Sequence, residues 1–169
     1  MNAAGRSLAI ANRHPRLRLD RRGLARAVAA LDARAPAFRG GCPAGELSIA
    51  FLTDAALAGL HAQFLADPAP TDVITFAGDP ALGLAGEICV SADAAARQAP
   101  ARGGAVSDEI ALYVVHGWLH LAGYDDRAPA QRRAMRRAEA RAMRVWRSAG
   151  PGPRFSLGGF SVRSRASRP

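Results

Sequence analysis

Apolar positions along the chain fall into short runs whose period changes from one run to the next. Leu8-Ala9-Ile10-Ala11-Asn12 reads as a first strand reaching toward Leu17. Leu24, Ala27, Val28 and Leu31 recur at helical spacing between arginines, which predicts an amphipathic helix over Asp20 to Ala33. The Pro- and Gly-rich stretch 35–43 is a loop, and Leu47-Ser48-Ile49-Ala50-Phe51 alternates as a strand should. Thr53 or Asp54 can cap a helix through Leu57, Leu60, His61 and Phe64, which Asp67-Pro68-Ala69-Pro70 stops. Val73-Ile74-Thr75-Phe76 and Ala85 to Ser91 form a hairpin-like pair of strands, followed by a short helix over Ala92 to Ala99.

Two longer helices close the chain. Ser107, Asp108 and Glu109 place a cap oxygen and two acids at a helix start, and the helix runs to about Ala122. Ile110, Leu112, Val114, Val115 and Leu119 surround it, so it should lie buried. Pro129 suits the first turn of a last helix ending near Arg147, with Met135, Ala138, Ala142, Val145 and Trp146 inward and arginines elsewhere. Strands in the first half and helices in the second predict an α+β (mixed α/β) fold: a four-stranded mixed sheet with about five helices, one of them central and buried. Residues 1–148 read as a single domain, and 149–169, rich in Gly, Pro, Ser and Arg with Phe155 and Phe160 isolated, as a basic, disordered tail.

Charge changes this picture by its distribution. All 23 basic residues are Arg. Residues 1–39 carry net +7, residues 40–126 net −9 and residues 127–169 net +11. An acidic middle suits cation capture, and basic ends could hold a polyanion over it. The same arginines also fit solvated helix faces. Cys42 and Cys89 form no CxxC, which points to two reduced thiols in an intracellular, cytoplasmic protein, Cys89 in a strand core. No apolar run is long enough to span a bilayer, so no membrane partner is expected.

The candidate chemistry lies in the central helix, at His116-Gly117-Trp118-Leu119-His120-Leu121-Ala122-Gly123-Tyr124-Asp125-Asp126. Four residues advance a helix by about 6 Å and only about 40° past a full turn, so His116 and His120 leave the same face. Gly123 can end the helix in a left-handed turn and return the following acids toward the two rings. Two imidazoles and a carboxylate form a three-ligand zinc site with a position left open.

These residues resemble the HGxLHLxGYDH signature of the YbeY family of metal-dependent endoribonucleases. Pro70-Thr71-Asp72-Val73-Ile74-Thr75-Phe76 resembles the family's PTDVLSF segment, and Gly86-Glu87-Ile88-Cys89-Val90-Ser91 its GDIxIS strand, in the same order. The resemblance covers roughly Leu47 to Trp146. It implies the same mixed fold, one Zn2+ per chain on His116, His120 and Asp126, and single-strand-specific cleavage of RNA in ribosomal RNA maturation, at the 3′ end of the small-subunit RNA, and in ribosome quality control. Ribosomal RNA, a ribosomal subunit and ribosome-associated proteins are the implied partners.

The chain departs from the family at two functional positions. Asp126 stands where the family has its third histidine, and Leu65 where it has an arginine. An anionic ligand would leave a bound water less acidic than three neutral imidazoles would. Asp126 also reads as a cap for the Arg-rich helix, and adjacent Asp125 as a hydrogen-bond partner of a ligand or the ligand itself. The nucleophile would be metal-bound water, with no side chain assigned as general base. Arg132, Arg133, Arg136 and Arg137 are the expected RNA grips, and Arg97 and Arg102 read as surface residues that could touch phosphate. Thr71 and Asp72 read as turn residues; His14 and His61 read as surface residues.

Two other functions remain open on the sequence. One is an RNA-binding factor of ribosome biogenesis with a structural or weakly active metal. The other is a metal-dependent hydrolase or protease on another substrate, which Gly117 disfavours: in HExxH proteases the residue after the first His is the Glu that acts as general base.

Overall fold

The computed structural model describes residues 5–65 and 71–158, with the side chain of Leu65 outside that description. Strands β1 (Ser7–Asn12), β3 (Glu46–Leu52), β4 (Val73–Ala77) and β5 (Leu84–Ser91) form one mixed sheet in the order β1-β3-β5-β4. β1 and β5 run parallel to β3, whereas β4 pairs antiparallel with β5, Ile74 opposite Cys89. Helices α1 (Arg21–Asp32), α2 (Asp54–Leu65), α3 (Ala92–Ala101), α4 (Val106–Leu121) and α5 (Pro129–Ser148) pack around it. The expected α+β architecture is therefore present, with the histidine motif on α4.

The sheet is apolar on both faces. Alternation along β3 sends Leu47, Ile49 and Phe51 into the main core, with Leu24, Leu31, Ile110, Trp118 and Leu119. It sends Ala50 and Leu52 to a smaller cluster with Leu57 of α2, Ile74 and Cys89. Fully burying a Leu or Ile contributes about 1.5–3 kcal/mol, so α4, with Ile110, Val114, Val115 and Leu119 at 0% exposure, is held chiefly by its packing. Asp32 ties three elements together: it accepts from Trp118 Nε1 at 3.0 Å and from Arg6 Nε at 3.0 Å. The buried Arg6 is satisfied further by the carbonyls of Gly45 and Cys42.

Four sequence expectations are corrected. Leu17 does not prolong the first strand: β2 (Leu17–Leu19) is separate and pairs antiparallel with β6 (Phe155–Leu157). Residues 149–158 thus lie along the domain rather than in a disordered tail, with Phe155 and Leu157 buried and the Phe155 ring 5.5 Å from that of Phe51. Residues 159–169, including Phe160, lie outside the described residues. Ser107 does not cap α4, which starts at Val106 after Ala105; its hydroxyl instead donates to Pro153 O and accepts from Phe155 N, fastening β6. His14 is buried, not exposed: its Nε2 faces Asp93 Oδ1 at 3.1 Å and its Nδ1 accepts from Arg16 N.

Candidate metal centre

α4 crosses the sheet so closely that Gly117 is required there. A Cβ at this position would lie 2.5 Å from Ile88 Cγ2 and 3.2 Å from Thr75 Oγ1. The catalytic Glu of an HExxH site would therefore have no room. After Leu121 the helix stops in a Schellman turn: Gly123 N donates to His120 O and Tyr124 N to Leu119 O, with Gly123 at φ +84°. Asp125 then accepts from the Asp126 and Arg127 amides, and the Asp126 amide holds the Asp125 carboxyl below its ordinary pKa. Asp125 is thus occupied in shaping the turn, and Asp126 is the acid that faces the rings. α5 is opened by Pro129 after Ala128, so Asp126 is not its cap.

The three expected ligands converge. Among the described residues, His116, His120 and Asp126 form a group whose ligand atoms all lie within 4.8 Å of one another. The two Nε2 atoms are 2.9 Å apart, and Asp126 Oδ2 is 3.6 Å from His116 Nε2. Donors on a tetrahedral zinc at 2.0–2.1 Å are spaced by about 3.3 Å, between these two values. The far side of each ring explains the arrangement. His116 Nδ1 lies 2.6 Å from Glu139 Oε1 on α5, and His120 Nδ1 lies 3.0 Å from the Tyr124 carbonyl. Both partners accept, so both Nδ1 atoms carry the proton and both Nε2 atoms turn lone pairs toward each other. Such a pair is satisfied by a proton held between the two nitrogens or by a metal cation, and a divalent metal fits the three donors.

Charge around the rings supports that assignment. Burial works against the charged form of His116, but the Glu139 hydrogen bond and the charges of Glu139, Asp126 and Asp72 outweigh it and raise its pKa. Burial and the adjacent His116 lower that of His120. Glu139 was not apparent as a site residue in the sequence, although it is the one acid among the twelve arginines after residue 126. A carboxylate behind a ligand imidazole fixes its tautomer and increases its basicity.

Two cavities meet at these ligands. One, of about 300 Å³, is lined by apolar Val73, Leu112 and Met135 and by Asp72, Glu139, Arg102, Arg132 and Arg136, beside His116 and Asp126. The other contains His120 and Asp126 together with Thr71, Thr75, His61 and Arg127. Of the four exposed arginines expected to grip RNA, Arg132 and Arg136 line the first cavity, whereas Arg133 and Arg137 lie about 100° further round α5. Arg102 and Asp72, read from sequence as surface and turn residues, also line it. Arg97 pairs with Asp54 instead. Leu65 ends α2.

A mixed sheet, an HxxxH helix and an acid returned by a glycine turn define a candidate single-metal centre of the His-His-carboxylate class. The chain belongs to the YbeY family: residues 10–147 match the family model described as endoribonuclease YbeY. It is similar to the endoribonuclease YbeY of Mycobacterium leprae, with 36% identity over 116 residues, which are 62% of this chain and 65% of that protein. It is also similar to those of Kineococcus radiotolerans, 41% identical over 55% of this chain and 60% of that protein, and Pelotomaculum thermopropionicum, 41% identical over 56% and 67%. The match thus spans 60–67% of the length of these relatives. The solution structure of TM1509 from Thermotoga maritima shares the fold, with a TM-score of 0.54 at 21% identity over 84% of this chain and 93% of that one. Among the described residues no helix is long and apolar enough to cross a membrane.

Proposed function

We propose that this chain is a zinc-dependent endoribonuclease that cleaves single-stranded RNA during ribosomal RNA maturation and ribosome quality control, acting in the cytoplasm on ribosomal RNA or a ribosomal subunit. The observation that carries the reading is the convergence of His116, His120 and Asp126 beside an arginine-walled cleft. Zinc bound there would polarise a phosphoryl oxygen and lower the pKa of a water. The chain supplies the rest. Glu139 holds the His116 Nδ1 proton and the Tyr124 carbonyl that of His120, so both rings present Nε2 to one point. Arg136 stands on the cleft wall where a phosphodiester would pass. Arg132 donates through Nη1 to the carbonyls of Asp126 and Arg127, steadying the turn that carries the third ligand.

Purified protein should hold one zinc per chain, and the loaded protein should cut single-stranded RNA in preference to duplex. Asp126→Ala should lose both metal and cleavage. Full zinc content in Asp126→Ala would remove the site assignment. RNA binding without metal-dependent cleavage would select the binding-factor reading instead.

A further inference from the structure

The cleft beside His116 contains an arginine that its one ion pair occupies only in part. Arg102 follows the last turn of α3 and lines the same cavity as Arg132 and Arg136 of α5. Its Nη1 lies 2.7 Å from Oε1 of Glu109, whose side chain is only 7% exposed, while half of the Arg102 side chain remains open to solvent. The contact is a close ion pair without an aligned hydrogen bond, and the buried Tyr113 hydroxyl one turn further along α4 lies beside the same carboxylate. A carboxylate buried this deeply needs a counter-charge. Arg102 supplies it, and its position is thereby fixed. A guanidinium has five N–H donors, and one edge against Glu109 leaves others for the cleft.

The other arginines near α3 and α5 are used differently. Arg97 is paired with Asp54 outside the cleft, and Arg132 is taken up by two backbone carbonyls. Among the residues lining the cleft, Asp72, Asp126 and Glu139 would repel an incoming phosphate. Arg102 and Arg136 are the cations placed to offset them.

We propose that Arg102, anchored by Glu109, is a phosphodiester-contact residue of this cleft, forming with Arg136 a phosphate subsite beside the metal ligands. The inference rests on the RNA reading of the site, and it makes Glu109 a positioning residue. The anchor on Glu109 distinguishes this arginine from the exposed ones on the outer face of α5: its contact is made with a side chain already held at one edge.

The test uses metal-free full-length protein, so that the probe is not consumed, and measures binding of a short single-stranded RNA as a function of salt. Arg102→Gln keeps a hydrogen-bonding partner for Glu109 but removes the charge. Loss of one phosphate contact should weaken binding about tenfold and reduce the slope of log K against log salt by about 0.7. Arg102→Lys should restore the slope, Glu109→Gln should lower affinity in the same direction as Arg102→Gln, and Arg97→Gln should match wild type. Equal slopes for wild type and Arg102→Gln overturn the proposal, as does wild-type protein that does not bind the RNA. Cleavage by the zinc-loaded wild type is read separately. Cleavage with unchanged slopes removes the subsite alone; a slope difference with no cleavage removes the nuclease reading and leaves the subsite standing.

Discussion

Arg39 donates a 2.6 Å hydrogen bond to the Gly123 carbonyl and lays its guanidinium over the Tyr124 ring, 4.3 Å from the centroid. Among the described non-glycine residues it alone has positive φ, at 56°. A left-handed residue with a Cβ costs about 1 kcal/mol. Here that strained backbone aims a cation at the turn whose next carbonyl holds His120.

Arg39→Gly separates the two effects. Relief of the backbone offsets the lost surface contact, so the metal-free protein should keep its stability to within about 1 kcal/mol. Zinc affinity should nevertheless fall severalfold, because the turn bearing Tyr124 and Asp126 is less firmly held. Chelator competition and thermal melts on the same samples read both quantities; unchanged zinc affinity would show that Arg39 only packs.

Glu139 makes a sharper case. Removing the carboxylate in Glu139→Ala frees the His116 ring and its tautomer. Zinc affinity should drop about 10–100-fold, the usual cost of losing such a partner. Glu139→Gln, which still accepts a hydrogen bond, should fall in between. Competition titrations at fixed pH decide it, and equal affinity in all three proteins would mean that the 2.6 Å contact does not orient the ligand.

Acid should act on metal-free and loaded protein with different signs. His116 has its pKa raised in the fold, so the stability it contributes is full below the ordinary value of about 6.5 and is lost as pH rises through the raised one. His120 has its pKa lowered, so stability is lost as pH falls from about 6.5 through the depressed value. Metal-free protein should therefore be most stable near the ordinary histidine range. Zinc competes with the proton on His116, and the loaded protein should lose metal as pH falls through the raised value. Melting curves with and without chelator across that window measure both trends; parallel profiles would contradict the assignment of His116 as a ligand.

Gly117→Ala tests the crossing of helix and sheet. Alanine favours a helix over glycine by about 1 kcal/mol, but a methyl 2.5 Å from the fully buried Ile88 forces overpacking of about 1–3 kcal/mol. The net change should be destabilising, and Ile88→Ala in the same chain should recover part of the Gly117→Ala penalty in a double-mutant cycle. Additive losses would locate the clash elsewhere.

Much of the centre was legible in the sequence because it is local. His116, His120, Gly123 and Asp126 lie within eleven residues, and helix geometry with one glycine turn nearly fixes their relation. Glu139 was not legible as a partner, and Arg102 only as a surface residue that could touch phosphate, since each reaches the cleft from another helix and only packing brings it there. Arg133 and Arg137 share the charge of Arg132 and Arg136 but not their helix face, which an unbroken run of arginines does not reveal. The β2–β6 pairing escaped for a related reason: three-residue strands more than a hundred positions apart carry almost no periodic signal, and a stretch of Gly and Pro reads as a tail. His14 looked exposed because Asp93, the group that lets it be buried, lies on α3.

The bare backbone at Gly117 bears on what this scaffold can become. Wherever α4 rests against Ile88 and Thr75, the slot that peptide-hydrolysing helices give to their proton-accepting acid is filled by the sheet itself. Acquiring that acid would mean prising two layers apart, not exchanging one residue. The fold thereby confines any proton transfer to groups entering from the cleft rather than from the helix that bears the histidines.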